Sequence, residues 1–493
     1  MESGGKACSM NPYTGEIVEK QNYFSKDEIN NRIQRSWDAF CKWRRTSPTE
    51  RKNMFNKLAN ILEKHMDKLA KTITLETGKV ITQSRREVEK SIEFIRYYAQ
   101  NTEEFLKPWD LNIQDAKKCY LRFEPLGPIF NISSYNYPLF QNIRRAIPAL
   151  LMGNTVLSRS SSLTPQIGMM IEELYQEAGF DKGEFLNLIS SHDQTEMIIC
   201  NSKIRGVAYV GSFSGGQTVG SLAGKCSKKF ITENGSNDTF IVMKDADIGS
   251  AVERAMTSRL KDAGQAAISA NTFLIEESIY DSFRDKLLER LRTVKMGDPM
   301  DANVMLGPLS NKDDLEKSID QVKRAQEKGA KLLCGGGRPK DVSMKSALFF
   351  EPTMLEVTEE NPILNEETFA PIFSLMRFKD EEQIIRITNS KQFGIGTAIF
   401  TSNESKAEEL ASRLEVGAVF INTRTHFHKG VPIGGVKCSG IGREGGIWGT
   451  REFANVMTVF VSGDSKSIPG AKSKPLQEII SKAESGEMGV TAL

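Results

Sequence analysis

What most constrains this chain is a rhythm that sets in near residue 121, where short apolar runs alternate with helical stretches of roughly 10–15 residues. Residues 127–132, 155–158, 185–189, 206–210 and 229–231 are predicted strands, and residues 139–151 and 166–177 are predicted helices between them. The pattern resumes after Asn237, with strands at 239–242 and 272–275 and helices at 248–260 and 279–294, and it runs on to 419–421. Strands and helices in alternation are joined by right-handed crossovers, so the strands lie parallel and helices cover both faces of the sheet. Two such runs in series predict an α/β chain with two Rossmann-type parallel-sheet domains and a ligand cleft between them.

The first hundred residues are helical. Ser25 with Glu28 predicts a capping box, followed by Ile29, Ile33, Trp37 and Phe40 at helical spacing. Ser47-Pro48-Thr49-Glu50 predicts a second start, with Met54, Leu58, Ile61 and Leu62 on its apolar face. A third helix is expected from about Ser84 to Phe105, and its charged residues Arg85, Arg86, Glu87, Glu89 and Lys90 read as a solvated face. Two extended segments, 107–124 and 456–461, fit neither core and suggest a hairpin arm of the kind that makes a dimer contact. From residue 462 the chain is rich in Ser, Lys, Gly and Glu. This stretch reads as a tail with one short amphipathic docking helix at 476–483.

Composition excludes several classes. The 65 basic residues against 63 acidic ones give a net charge of +2, which is not the footprint of a nucleic-acid binder. No apolar run approaches the ~20 residues that span a bilayer. With 39% hydrophobic and 26% charged residues the chain has enough apolar material for a core, so wholesale disorder is excluded. Seven cysteines, at 8, 41, 119, 200, 226, 334 and 438, are too few for a disulfide framework, so reduced thiols in a reducing intracellular compartment are expected. The first residues lack a secretory h-region, and both cytoplasm and mitochondrial matrix stay open.

Several short motifs could carry chemistry. Gly211-Ser212-Phe213-Ser214-Gly215-Gly216 follows a predicted strand and opens a helix, the setting of a dinucleotide phosphate turn or of a plain tight turn. Asn136, in Ser133-Ser134-Tyr135-Asn136-Tyr137-Pro138, could aim its amide at an oxyanion or simply cap a helix. Glu233 stands at a strand end, where it could be a general base or a surface carboxylate. His426 and His428 have no third ligand nearby, so no metal site is expected. Arg424, His426, His428 and Lys429 form a basic loop that attracts an acidic group or does nothing. Glycines crowd residues 432–444, which predicts a shaped loop.

In their order and spacing these pieces resemble the aldehyde dehydrogenase superfamily over about residues 8–461. The resemblance rests on Asn11-Pro12-Tyr13-Thr14-Gly15-Glu16, Glu76-Thr77-Gly78-Lys79, Glu124-Pro125-Leu126-Gly127, Asn136-Tyr137-Pro138 and Gly153-Asn154-Thr155. Gly211-Ser212, Gly264-Gln265, Glu367-Thr368-Phe369-Ala370-Pro371 and the 432–444 loop complete it. Within the family the chain looks most like the bacterial-type succinate-semialdehyde dehydrogenases, on Phe240-Ile241-Val242, Asp245-Ala246-Asp247 and Lys295-Met296-Gly297-Asp298-Pro299.

The resemblance implies a dinucleotide-binding domain at 1–106 and 125–236, a catalytic domain at 237–440, an oligomerisation β-arm at 107–124 and 441–461, and a tail at 462–493. It implies NAD or NADP as cofactor, an aldehyde or semialdehyde ligand, and a homodimer or tetramer that could belong to a larger assembly. Family chemistry runs through a Cys thiolate that attacks the aldehyde, hydride transfer to NAD(P), and hydrolysis of the thioester by a Glu-activated water. Asn136 matches the oxyanion Asn and Glu233 the general base. Gly211, Ser212 and Gly216 match the phosphate turn, and Glu367 and Phe369 the contacts to the nicotinamide ribose.

The departures from the pattern matter more. The nucleophile belongs two residues after Gly264-Gln265, and that position is Ala267. Ser269 is two residues further on; on a helix it would point elsewhere, and an unassisted Ser hydroxyl is a much weaker nucleophile. The cofactor-ribose Lys aligns with Arg159, which keeps the charge but not the geometry. A Glu that often contacts the adenosine ribose aligns with Ser162, which removes a carboxylate that would repel a 2′-phosphate. Asn234, Ser236, Thr272 and Ala370 replace further family residues. Several changes around one pocket suggest a catalytically inactive homologue with a structural or ligand-binding role and weakened cofactor binding. The alternative is an active oxidoreductase for a short semialdehyde in which Ala267 is an engineered Cys replacement.

Overall fold

In the computed structural model, which describes residues 5–340 and 348–463, each predicted strand of the repeating segment is a strand. Ahead of it lie an antiparallel pair, β1 (Lys6–Met10) and β2 (Ile17–Asn22), and the helices α1 (Lys26–Trp43), α2 (Pro48–Lys64), α3 (Met66–Thr77), α4 (Ile81–Gln100) and α5 (Thr102–Leu106). The Ser25 side chain accepts from the Glu28 N–H, and Ser47 and Glu50 close a full capping box behind Pro48. The sequence shows no clear sign of α3. Its buried residues, Leu69, Ala70, Thr72, Ile73, Thr74, Glu76 and Thr77, surround most of the helix, and an amphipathic stripe is what periodicity detects.

The hairpin that follows is β3 (Trp109–Leu111) with β4 (Ala116–Pro125). The first α/β run is β5 (Pro128–Ile132), α6 (Pro138–Met152), β6 (Thr155–Arg159), α7 (Pro165–Glu177), β7 (Phe185–Asn187), α8 (Thr195–Cys200), β8 (Gly206–Val210), α9 (Phe213–Lys225) and β9 (Lys229–Glu233). Its parallel strands lie in the order β9-β8-β5-β6-β7. Strand order reverses between β5 and β8, so the turns after these two strands flank a topological switch point, where open α/β sheets bind ligands.

Helix α6 is buried along all of its length, so its first-turn N–H groups cannot reach water. Glu87 of α4 accepts from the N–H groups of Leu139 and Phe140, at 3.0 and 3.1 Å, and pairs with Lys79 at 2.5 Å. Glu87 is therefore a buried helix cap and not part of a solvated face, which corrects the sequence reading. Glu76 does the same for α7, accepting from Gln166 and Ile167 at 2.9 and 3.0 Å. Burial pushes the Glu76 carboxyl up to about 7. The Glu76-Thr77-Gly78-Lys79 motif thus has a local physical purpose.

Cys200, the last residue of α8, and Cys226, which caps α9, are joined in a disulfide with their Cα atoms 5.4 Å apart. The expectation of reduced thiols throughout therefore fails for this pair. Two helices on one sheet face converge at their ends, which a spacing of 26 residues does not reveal. Cys8, Cys41, Cys119, Cys334 and Cys438 are free.

The second run is β10 (Thr239–Val242), α10 (Ile248–Leu260), β11 (Thr272–Glu276), α11 (Tyr280–Arg292), α12 (Lys312–Glu327), β12 (Lys331–Cys334), β13 (Thr353–Glu356), β14 (Ile372–Phe378), α13 (Glu381–Ser390), β15 (Phe393–Gly394), β16 (Gly396–Phe400), α14 (Glu404–Ser412) and β17 (Ala418–Ile421). Its sheet has the order β12-β13-β14-β11-β10-β16-β17, parallel except for β12 at the edge. Phe240, Phe273, Phe373 and Phe400 stack through its core.

The glycine-rich loop holds β18 (Val436–Lys437) and β19 (Gly440–Ile441), and β19 adds antiparallel to β9 at the edge of the first sheet. Residues 441–454, with α15 (Gly446–Arg451), thus group with the α/β body and not with the arm, because β9 offers β19 an open edge. The arm is a separate compact unit, whose described residues are Lys107–Phe123 and 455–463. It is a three-stranded sheet in the order β20-β4-β3, where β20 is Ala454–Ser462. Trp109, Leu111, Val456, Met457, Phe460 and Val461 are exposed on it. The predicted tail helix at 476–483 lies outside the described residues. Among those described, no helix is long and apolar enough to cross a membrane.

Candidate active site

A cavity of about 670 Å³ opens within the α/β body, and Asn136, Glu233 and Ala267 all line it. Asn136 comes from the turn after β5, Glu233 from the end of β9, and Ala267 from the loop between α10 and β11. Three segments distant in sequence thus reach one space: the first two follow the C-terminal ends of parallel strands, and the third leads into the N-terminal end of β11.

The α10–β11 loop has an unusual backbone. Asp262 and Ala263 are consecutive non-glycine residues in the left-handed region, with φ of 52° at each. Such positions each cost about 1–3 kcal/mol, which the surrounding structure must offset. Gly264 follows at φ +81°, and a Cβ there would lie 2.3 Å from the Ala370 carbonyl oxygen. The loop is pinned by Arg259, whose fully buried guanidinium donates to Asn271 Oδ1 at 2.8 Å and to the Ala370 carbonyl at 2.6 Å. Asn136 Nδ2 donates to the Gln265 carbonyl at 2.7 Å, and its Oδ1 accepts from Ser134 and Gln141. The Asn136 amide is therefore locked beside the Ala267 segment.

Ala267 presents only a methyl group, half-buried against core residues. Ser269 lies in this loop, and its hydroxyl donates to the Ser258 carbonyl at 2.7 Å. No cysteine lines the cavity.

Glu233 is held by charge. Arg144 Nη2 stands 2.5 Å from its Oε2, and Arg145 is 3.8 Å away. Both arginines also pair with Glu444 from the glycine-rich loop. Burial pushes the Glu444 carboxyl above its ordinary range, and Arg144 and Arg145 oppose that rise.

The rest of the lining is strongly basic: Arg86, Lys90, Lys261, Arg424, His426, His428 and Lys429 face the cavity. Lys90 was read from sequence as part of a solvated face. In the structure it is half-buried, with Nζ 4.6 Å from the Phe140 ring centre and 5.0 Å from that of Phe427. Burial, with Lys261, Arg144, Arg424 and Arg86 nearby, pulls its pKa down to about 6. The rings favour the ammonium by only about 0.5–2 kcal/mol. Burial and the neighbouring Arg424 and Lys79 likewise bring Lys261 down to about 8. The sequence reading did not single out Arg144, and it placed Lys90 on a solvated face; no local signal distinguishes either residue. His426 Nδ1 donates to the Arg424 carbonyl at 2.9 Å. Among the described residues no cluster of three or more His, Cys, Asp or Glu gathers to hold a metal.

The residues matched to a cofactor lie outside this cavity lining. Gly211, Ser212 and Gly216 form the turn from β8 into α9, and Ser212 caps α9 by accepting from the Gly215 N–H. A Cβ at Gly215 would fall 2.0 Å from Tyr209 Oη, and one at Gly216 2.1 Å from Asn234 Oδ1, so only glycine permits this close-packed turn. It presents a helix N-terminus at the switch point, which suits a phosphate group. Arg159, at the end of β6, donates from Nε to the Ser190 carbonyl at 2.8 Å and meets His192 at 3.3 Å. Ser162 follows on the same loop, where its carbonyl accepts from the Cys8 N–H. Glu367 accepts from the Ser236 N–H at 2.9 Å beside Gly235, and Phe369 meets Tyr135 edge-on.

Three of the departing residues, Asn234, Ser236 and Thr272, make side-chain hydrogen bonds. Asn234 ties β9 to the Cys438 carbonyl at 2.9 Å. Ser236 donates to Asp238, and Lys391 reaches Thr272 at 2.6 Å.

Residues 1–459 match the model of the aldehyde dehydrogenase family. The succinate-semialdehyde dehydrogenase [NADP(+)] of Deinococcus radiodurans is 35% identical over 471 residues, 95% of this chain and 96% of its own. Its counterpart in Mycobacterium tuberculosis strain H37Rv is 34% identical over 92% of this chain and 99% of its own. Among solved structures, the succinic semialdehyde dehydrogenase from Streptococcus pyogenes in complex with NADP+ superposes with a TM-score of 0.89 at 32% identity, covering 92% of this chain and 100% of that one.

Proposed function

We infer that this chain, which belongs to the aldehyde dehydrogenase family, binds a nicotinamide dinucleotide and a short anionic aldehyde without oxidising the aldehyde. One observation carries the reading: the cavity has a methyl group, Ala267, where the family requires a thiolate. A methyl has no lone pair to attack a carbonyl. Neither of the nearest substitutes serves, since Ser269 is hydrogen-bonded away and no cysteine lines the cavity. The base is also restrained, because Arg144 holds the Glu233 carboxylate.

Ligand binding is supported separately. The close-packed turn from Gly211 to Gly216 and the cation of Arg159 fit a dinucleotide phosphate group, and the relatives named above carry NADP in their names. Ser212 and the α9 N-terminus would hold the diphosphate, Arg159 and Ser162 the adenosine ribose and its 2′-substituent, and Glu367 and Phe369 the nicotinamide ribose. Once bound, the dinucleotide offers a hydride acceptor. The basic cavity wall around Arg424 and Lys261 suits a carboxylate-bearing aldehyde, and the named relatives are succinate-semialdehyde dehydrogenases. The exposed apolar face of the arm suits a second copy of the chain.

The test is direct. The purified protein is mixed with succinate semialdehyde and NADP or NAD, and absorbance at the reduced-nicotinamide band is followed while calorimetry measures nucleotide binding. Binding without reduction is expected. Cofactor reduction clearly above background overturns the inactive reading, and absence of heat with both nucleotides overturns the binding reading.

A further inference from the structure

The charges in the cavity do not balance. Every carboxylate on its wall already has a cation of its own: Glu87 has Lys79, Glu93 has Arg86, Glu233 has Arg144 and Glu253 has Arg290. Lys90 has none. Among the described residues no carboxylate lies within ion-pairing distance of it, and its Nζ meets only the Phe140 and Phe427 rings. Its charged neighbours are Arg144 from α6, Lys261 from the end of α10, Arg424 from the loop after β17 and Arg86 from its own helix. An amine in apolar surroundings, walled in by like charges and opening onto a cavity, is disfavoured as an ammonium. That is how an enzyme makes a lysine nucleophilic toward carbonyls. Lys261 shares the cavity, but Asp262 and Glu87 lie close enough to favour its charged form, so it is the weaker candidate.

We propose that Lys90 is a carbonyl-capturing residue, whose amine condenses reversibly with an aldehyde entering the cavity to give an imine. The nitrogen lone pair attacks the carbonyl carbon and a C–N bond forms, giving a carbinolamine. The two hydrogens of the amine then leave with the former carbonyl oxygen as water, and the C=N bond closes. No electrons are gained or lost, so no oxidant is required. The ligand class is a short aldehyde carrying an anionic group, which Arg424 and Lys261 attract. The inference deepens the aldehyde-binding reading above and rests on it. The chain would thus hold an aldehyde covalently through nitrogen, not through sulfur.

Trapping tests it with the unmodified full-length protein. The protein is exposed near pH 7 to limiting succinate semialdehyde with cyanoborohydride, and peptides are mapped by mass spectrometry for addition of the aldehyde less one oxygen. An ordinary lysine is a free amine in roughly one molecule in 2,500 at pH 7, whereas Lys90, at about 6, is mostly free amine. Labelling of Lys90 at least tenfold faster than of exposed lysines such as Lys225 is expected, with succinate protecting it. Labelling of Lys90 no faster than Lys225 overturns the proposal, as does faster labelling that succinate leaves unchanged. Lys90→Met should lose the fast label, and Lys225→Arg, at an exposed lysine outside the cavity, should keep it. Succinate binding, read by calorimetry on the same protein, separates the two readings. Binding without the fast label overturns imine formation alone, and neither binding nor label overturns the aldehyde reading as well.

Discussion

Arg144 reaches two carboxylates at once, with Nη2 2.5 Å from Glu233 Oε2 and Nε 2.8 Å from Glu444 Oε2. Arg145 completes a buried quartet of two cations and two anions. Arg144 thus holds the Glu233 carboxylate within a buried network, so the carboxylate is not free to turn toward a water in the cavity.

Restoring the thiol therefore should not restore turnover. Ala267→Cys is expected to give a burst of reduced cofactor of about one equivalent, followed by slow steady-state release. A missing general base typically costs about 10²–10⁴-fold in rate, and the slow phase should lie that far below the burst. Stopped-flow absorbance checks this, and fast linear turnover with no burst contradicts it.

Removing one member of the quartet leaves a charge stranded. Arg144→Met should destabilise the fold by about 3–5 kcal/mol, as breaking buried ion pairs does. Adding Glu444→Gln should recover a good part of the loss. Urea denaturation of both variants measures it, and equal stability of the single variant and the parent would show that the quartet contributes nothing.

Nucleotide choice should follow Arg159 and Ser162. Arg159→Met is expected to weaken NADP binding roughly ten- to hundredfold, the loss of one charge-assisted contact worth about 1.5–3 kcal/mol. Ser162→Glu should weaken NADP more than NAD by placing a carboxylate near the 2′-phosphate. Calorimetric titration with each nucleotide tests both, and equal losses for NAD and NADP in the second variant would argue against this placement.

Asp262 carries a pH signature. Its carboxylate is buried, neither oxygen has a hydrogen-bond partner, and Lys79 is 3.8 Å away. Burial raises its pKa to about 7, with Lys79 opposing. The folded pKa exceeds the unfolded value near 3.9, so this residue's contribution is most favourable below about 4 and is lost as pH rises through about 7. Asp262→Asn keeps a residue that tolerates the left-handed backbone. It should match the parent near pH 4 and exceed it by on the order of 2 kcal/mol above pH 7. A gain that shrinks with rising pH would refute the assignment.

The arm should govern assembly. β20 is an edge strand of its sheet with Val456, Met457, Phe460 and Val461 exposed, and an open apolar edge invites pairing with another chain. Light scattering should show a dimer or tetramer, and Phe460→Lys with Val456→Lys should shift it toward monomer. An unchanged mass would place the contact elsewhere.

Much of this architecture is legible in the sequence, because strand and helix periods and caps such as Ser25 and Ser47 are local signals. The site is legible only in part. Asn136, Glu233 and Ala267 stand out by template, yet their surroundings are set by contacts between distant segments. Arg144 meets Glu233 across 89 positions, and Arg145 meets Glu444 across 299. Lys90 and Glu87 look like surface charges because periodicity tells which residues share a face of α4, not what lies against it. For α4 that neighbour is the dry N-terminus of α6 and the cavity wall.

The bond between Cys200 and Cys226 closes a covalent ring, and β8, the glycine turn and all of α9 lie inside it. The stretch of chain proposed to hold a dinucleotide is thereby tethered at both ends. Local fraying of the first sheet cannot let that turn drift away, because its ends stay joined even when its hydrogen bonds open. Reduction would remove this tether without touching any residue of the turn. The redox state of the surroundings could thus set how readily an empty nucleotide cradle comes apart, while leaving the shape of an occupied one unchanged.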